Sequence, residues 1–284
     1  MNEIIIILLC IPLYVINSFC DKHISAKHSG GGFVYNVEKF LIGSIILLPL
    51  MLTGDGAKLK AGVLICGAAC GIMYAISKTI ILKGYEKTSV AFMTFCHSAG
   101  MIMPCIYGNF FWDETLSLPA TVGIMLAVFS AVLLKGGDGK KKSYTVSGVA
   151  IGIVVFLASG GVMMCQKFMG IYFAQQSVSA YNLYSFFVAF LLLSFFVKPQ
   201  KGTIKSAKGV LPFALGSSLS LCIISLVMTA IAGKVPSVIM FPLFNGIGII
   251  LVCIGSVFVF KEKMNLKKSI GLAVGLAGLC LVNL

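Results

Sequence analysis

The sequence has no arginine, one tryptophan, three histidines and only 9 acidic residues in a chain of 284. Each shortage excludes something. All 22 basic residues are therefore lysines, and most stand in short connections between apolar stretches, without interleaved aromatics. The net charge of +13 thus points to lipid headgroups and not to nucleic acid. The histidines, His23, His28 and His97, are scattered, and the ten cysteines lie inside apolar segments as small filler. Neither set has the spacing of a metal site, so no metal or cofactor is expected. HExxH, GxSxG, GxGD and the P-loop are all missing, so an enzyme is not expected. The opening stretch MNEIIIILLC lacks a basic flank and a small-residue cleavage site, so it is read as a retained helix.

What is abundant is apolar surface. Hydrophobic residues make up 58% of the chain and charged ones 11%, with a mean hydropathy of +1.02. A water-soluble domain carries about 25% charged residues. The chain is therefore expected to be an all-α membrane protein whose first partner is the lipid bilayer of the cell membrane. Against the roughly 20 apolar residues that a spanning helix needs, ten segments are read: 3–20, 33–52, 61–81, 88–111, 118–134, 145–168, 178–197, 209–231, 235–260 and 268–284. HSGGG, TGDG, KGGDGKKK and VKPQKG punctuate them. The segments are too long, and too free of alternation, for barrel strands.

The two halves resemble each other. With residues 88–134 laid on 236–282, Ser89 meets Ser237, Gly100 meets Gly248, Cys105 meets Cys253, Glu114 meets Glu262 and Gly123 meets Gly271. Tyr35 and Asn36 likewise echo Tyr181 and Asn182. The expected organisation is a five-helix repeat over 1–138 and a second over 139–284. Five crossings put the second repeat in upside down, which predicts ten helices as two inverted repeats around a central cavity, with alternating access to a midplane site. Lysine placement puts the 1–2, 3–4, 5–6, 7–8 and 9–10 connections in the cytoplasm and both termini outside.

The stretch ILKGYEKTSVAFMTFCHSAGMIMPCIYGNFFWDETLS with VGIMLAVFSAVLL, and AIAGKVPSVIMFPLFNGIGIILVCIGSVFVFKEKMNLKKSIGLAVGLAGLCLV, share a Ser-Val entry to the penultimate helix, a Glu just after it and a Gly early in the last. In these features the chain resembles the EamA-like branch of the drug/metabolite transporter superfamily. The resemblance implies movement of a small polar metabolite, such as an amino acid or related compound, without ATP. It also implies an arginine early in the second helix, for which Lys39, beside Glu38, is the nearest match. The glutamate that related four-helix transporters hold in mid-helix one has no counterpart, since Glu3 stands at the start of that span. A channel or lipid scramblase on the same helices is the alternative.

Polar residues inside spans are the candidates for solute contact, because in lipid they need partners or water. His97, in FMTFCHSAGMIMP, and Asn245, in FPLFNGIGII, fall at equivalent repeat positions and are expected to bond a solute, or else to join neighbouring helices. Lys78 either snorkels to the headgroups or meets an anionic solute group. Tyr14 and Asn17 on the first span, Tyr74 on the third and Gln166 on the sixth extend the set. Glu38 and Lys39 are expected to orient the helix, with Glu38 as the candidate for a proton-coupling acid. Tyr35, Asn36, Tyr181 and Asn182 are read as interfacial anchors, and Glu114 and Glu262 as caps or loop charges. Gly67 with Gly71 and Gly271 with Gly275 have GxxxG spacing, which serves the fold or a homodimer through the last helix. Pro12, Pro104, Pro212 and Pro242 are positions for kinks.

Overall fold

Runs of Leu, Ile, Val and Phe, with polar punctuation only at their ends, leave the backbone one way to satisfy its hydrogen bonds in an apolar medium, the helix. A computed structural model describes residues 3–27, 32–53, 60–87, 90–135, 146–173, 177–196, 203–259 and 266–282. HSGGG, TGDG, KGGDGKKK and VKPQKG fall largely outside these, as do Ser89, His28 and Glu262. Among the described residues there are eleven helices and no strand. They are α1 (Glu3–Lys27), α2 (Gly32–Thr53), α3 (Ala61–Lys87), α4 (Val90–Ala99), α5 (Ile102–Phe111), α6 (Leu118–Lys135), α7 (Val146–Tyr172), α8 (Val178–Phe196), α9 (Thr203–Ile231), α10 (Ser237–Val259) and α11 (Leu266–Val282).

Among the described residues six stretches are long and apolar enough to cross a membrane: Glu3–Ile24, Gly32–Thr53, Ala61–Ile81, Ala150–Tyr172, Val178–Phe195 and Gly209–Ile231. Leu118–Ser130, Ser237–Val252 and Ser269–Gly278 are shorter apolar helices. The expected span 88–111 is not one helix. It breaks at Gly100–Met101 into α4 and α5, each of 10 residues. Pro104 has no N–H to return to the carbonyl four residues back, that of Gly100. The Gly100 carbonyl instead accepts from Met103 N at 3.1 Å, and Gly100 N and Met101 N turn back to His97 O and Ser98 O. These three-residue bonds tighten the chain into a corner. Pro12, Pro212 and Pro242 stand inside continuous helices.

The chain divides into two compact units, each drawing on both sequence halves. The first comprises Met1–Ile11, Lys83–Met164 and Val235–Leu284. Within it α6 and α11 lie in close contact, with Gly275 against Ser130 and Gly278 against Gly123, Leu126 and Ala127. The glycine face of α11 therefore packs inside this unit. The Gly100 corner fits against Ser159 and Gly160 of α7, where the Ser159 hydroxyl donates to His97 O at 3.0 Å. Asp113 takes the left-handed conformation (φ 52°), which a short polar side chain tolerates. The turn it makes lets Glu114 Oε2 accept from Ser237 N, the first residue of α10, at 2.8 Å. An anionic cap there answers both an orphan N–H and the helix dipole.

The second unit comprises Pro12–Leu82 and Cys165–Lys234. Helix α2 packs on α8 and α9. The approach is close because Gly43 faces the Phe186 ring and the Ser218 hydroxyl. Ser218 Oγ donates to Lys39 O (2.7 Å), and Cys222 Sγ to Gly43 O (3.7 Å). Gly67 and Gly71 of α3 lie against the α8 backbone at Tyr181 and Ser185. Their spacing thus serves the fold of this unit.

Candidate functional site

Asn17 and Asp21 are four residues apart on α1, and so are Tyr35 and Lys39 on α2, so each helix offers one polar stripe. The stripes meet in the second unit. Lys39 Nζ lies 3.1 Å from Asp21 Oδ1 and 3.2 Å from Asn17 Oδ1. Tyr35 Oη donates to Asp21 Oδ1 at 2.6 Å, and its ring centroid is 5.5 Å from Lys39 Nζ. From α3, Lys78 Nζ approaches Asp21 Oδ2 at 3.5 Å. From α9, Ser217 O accepts from Asn17 Nδ2 at 3.2 Å. Asn36 Nδ2 reaches the Lys78 carbonyl at 3.4 Å.

Burial grades across this cluster. The Lys39 side chain has no exposed surface, whereas Lys78 keeps 16% and Asp21 33% of theirs. The Lys78–Asp21 edge is therefore the accessible side of the group. A buried ammonium in a spanning helix is costly unless paired, and Asp21 is the carboxylate that pairs it. Asn17 and Lys39 stand about one turn from the middle of their spans, and Asp21 and Lys78 about two turns. The charges are thus displaced from the expected midplane, toward the α1–α2 connection.

Beyond the charges comes an aromatic block. Phe40, Tyr74 and Phe186 have centroids 5.4 to 5.8 Å apart. The Tyr74 hydroxyl adjoins Ser225, which bonds to Asn182 Oδ1, and Gln166 Nε2 approaches Ser225 Oγ at 3.4 Å. Tyr74, Gln166, Asn182 and Ser225 form a neutral polar cluster on α3, α7, α8 and α9. The charged cluster takes α1, α2, α3 and a residue of α9; the neutral one takes α7, α8, α9 and a residue of α3.

The sequence-predicted residues separate accordingly. Asn17 and Lys78 join the charged cluster, and Tyr74 and Gln166 the neutral one. Lys78 pairs with Asp21, so its ammonium is turned inward. Tyr14 is half-buried beside Ser18. His97 and Asn245 both belong to the first unit. His97 ends α4 at the Gly100 corner, half-buried. Asn245 is buried, and its amide donates to Phe241 O of its own helix at 3.0 Å. Glu38 is not the carboxylate that pairs Lys39: its Oε2 is buried and has no hydrogen-bond partner among the described residues. The reading of Tyr35, Asn36, Tyr181 and Asn182 as interfacial anchors is corrected, for all four are buried. They lie on the inward faces of α2 and α8, where Tyr35 and Asn182 bond within the two clusters. Asp21 and Ser225 were not foreseen. Asp21 follows the end of the expected first span at 20, but α1 runs on to Lys27. The available signal was its place four residues after Asn17, with no helix breaker before Gly30.

Residues 1–135 match the sequence profile of the EamA-like transporter family. No curated protein sequence matches the chain. A solved crystal structure, described only as that of a protein, shares the fold with a TM-score of 0.74 over 99% of this chain and 96% of that one, at 13% identity.

Proposed function

We propose that this chain, which over residues 1–135 belongs to the EamA-like transporter family of the drug/metabolite transporter superfamily, is a secondary transporter that binds a small polar metabolite at Asp21, Lys39 and Lys78. The observation that carries this reading is the ion-paired cluster inside apolar spanning helices, since ionisable residues there mark solute or ion pathways. Asn17 and Tyr35 orient the charged groups, and Asp21, rather than Glu38, is the carboxylate that pairs the two lysines. Tyr74 and Gln166, with Asn182 and Ser225, form the far end of the path, and Tyr14 flanks it. His97 and Asn245, which belong to the first unit, are kept as candidate solute contacts of that unit by itself.

In this reading α4 and α5 cross the membrane together as one broken span, giving ten crossings in two inverted repeats. Three features support the inversion: the Ser89/Ser237-to-Gly123/Gly271 alignment, the reciprocal make-up of the two clusters, and the odd number of crossings per half. Alternating access then opens the site to each side in turn, in the cell membrane, with both termini outside. The bilayer is the only further partner required. A dimer through α11 would have to use a face other than that of Gly275.

Counterflow from liposomes tests the carrier. With the purified protein and a stabilising solute, uptake of label should saturate and be accelerated by unlabelled solute on the far side. An ohmic current without saturation would identify a channel instead.

A further inference from the structure

Resting on the transporter reading, we infer that the solute bound at Asp21, Lys39 and Lys78 carries a single negative charge and crosses without a compensating proton. The argument is a count of charge in a place where charge is expensive. Among the described residues, the ionisable groups facing the Asp21 carboxylate are the Lys39 and Lys78 ammoniums, the Tyr35 and Tyr14 phenols and the neighbouring Cys20 thiol. The Tyr35 phenol donates a hydrogen bond to the carboxylate and keeps its proton, so it is neutral. Two ammonium groups therefore face one carboxylate, leaving one positive charge over.

The donors agree with the count. An ammonium has three N–H groups. Lys39 directs bonds to Asn17 and Asp21, while among the described residues Lys78 meets only the edge of Asp21, at 3.5 Å. The under-used donors are on Lys78, the partly exposed lysine. A carboxylate or singly charged phosphate ester placed there takes those donors and brings the group to neutrality. A zwitterion leaves the positive charge uncancelled. A dianion makes the group negative unless Asp21 takes up a proton, which on Oδ2 would face the Lys78 ammonium and would discharge the ion pair with buried Lys39. A cation is repelled.

Neutrality of the loaded site has a consequence for energetics. The charge moved per turnover is that of the solute alone, one negative charge, so flux responds to voltage. An inside-negative cell drives such a solute outward.

The experiment has two steps. Purified protein is first screened by thermal shift against monocarboxylates, dicarboxylates and organic phosphates, zwitterionic amino acids and amines. The strongest stabiliser is then followed into liposomes under imposed potassium diffusion potentials. The inference expects a monoanion to stabilise most. Its uptake should speed roughly fivefold or more as the interior goes from negative to positive, with no accompanying proton. A zwitterion, dianion or amine as strongest stabiliser, or monoanion flux indifferent to voltage, overturns the inference and leaves the transporter standing. A stabilising monoanion that shows no saturable flux removes the transporter itself. No stabiliser in any class removes the site.

Discussion

The Lys39 ammonium is wholly buried and lies 3.1 Å from the Asp21 carboxylate, so helices α1 and α2 are tied by an ion pair inside their apolar spans. Removing one member of such a pair strands the other. Lys39→Met alone, or Asp21→Asn alone, is expected to cost about 3 kcal/mol. The double replacement should cost clearly less than the sum of the two. Unfolding of the purified variants in detergent checks this, and strict additivity would mean that the two groups do not interact.

The glycines give a contrast that does not involve charge. A Cβ at Gly71 would meet Ser185 O at 2.5 Å and the Val188 Cβ at 2.8 Å, whereas at Gly216 the nearest atom is Cys20 Sγ at 3.8 Å. Gly71→Ala should destabilise by about 1–3 kcal/mol through overpacking of α3 on α8. Gly216→Ala, in the interior of α9, should be neutral or stabilise by up to about 1 kcal/mol. Midpoints of thermal unfolding of the two variants measure the difference directly.

Glu114 links the α5–α6 connection to the first residue of α10. Glu114→Ala removes the acceptor for Ser237 N and should cost about 1 kcal/mol. Asp113→Gly, at the left-handed position just before it, should stabilise by a few tenths of a kcal/mol or more. Opposite signs for two adjacent replacements would be hard to obtain from a generic loop effect.

Much of this architecture is legible in the sequence, because lipid leaves the backbone few options. The α2 run from Gly32 to Thr53 lies within a residue of its expected bounds at each end, as does α8 from Val178 to Phe196. The α4–α5 break was not expected as a break. It needs Pro104 to deny a bond to the carbonyl of Gly100, and Gly100 to fit against Ser159 and Gly160, which are 59 and 60 residues further on. The site was half legible. Asn17, Lys78, Tyr74 and Gln166 announce themselves as polar residues within apolar runs. Asp21 does not, since in DKHISAK it looks like the start of a polar connection, and only the continuing helix turns it toward Lys39. Tyr35 and Asn36 misled for a similar reason. Tyrosine near a span end suits the headgroup region equally well, and only the packing of α2 against α9 excludes that.

The central claim is that solute binds the charged cluster of the second unit, and Lys78 is the residue that tests it. Its loss leaves Asp21 paired with Lys39, so Lys78→Met should fold with a stability penalty of about 1 kcal/mol or less. The decisive measurement is the thermal-shift screen run in parallel on the natural protein and on Lys78→Met. The account predicts that a solute raising the unfolding temperature of the natural protein by roughly 5 °C at saturating concentration leaves that of Lys78→Met unmoved. An equal shift in both proteins would place the solute elsewhere and contradict the account.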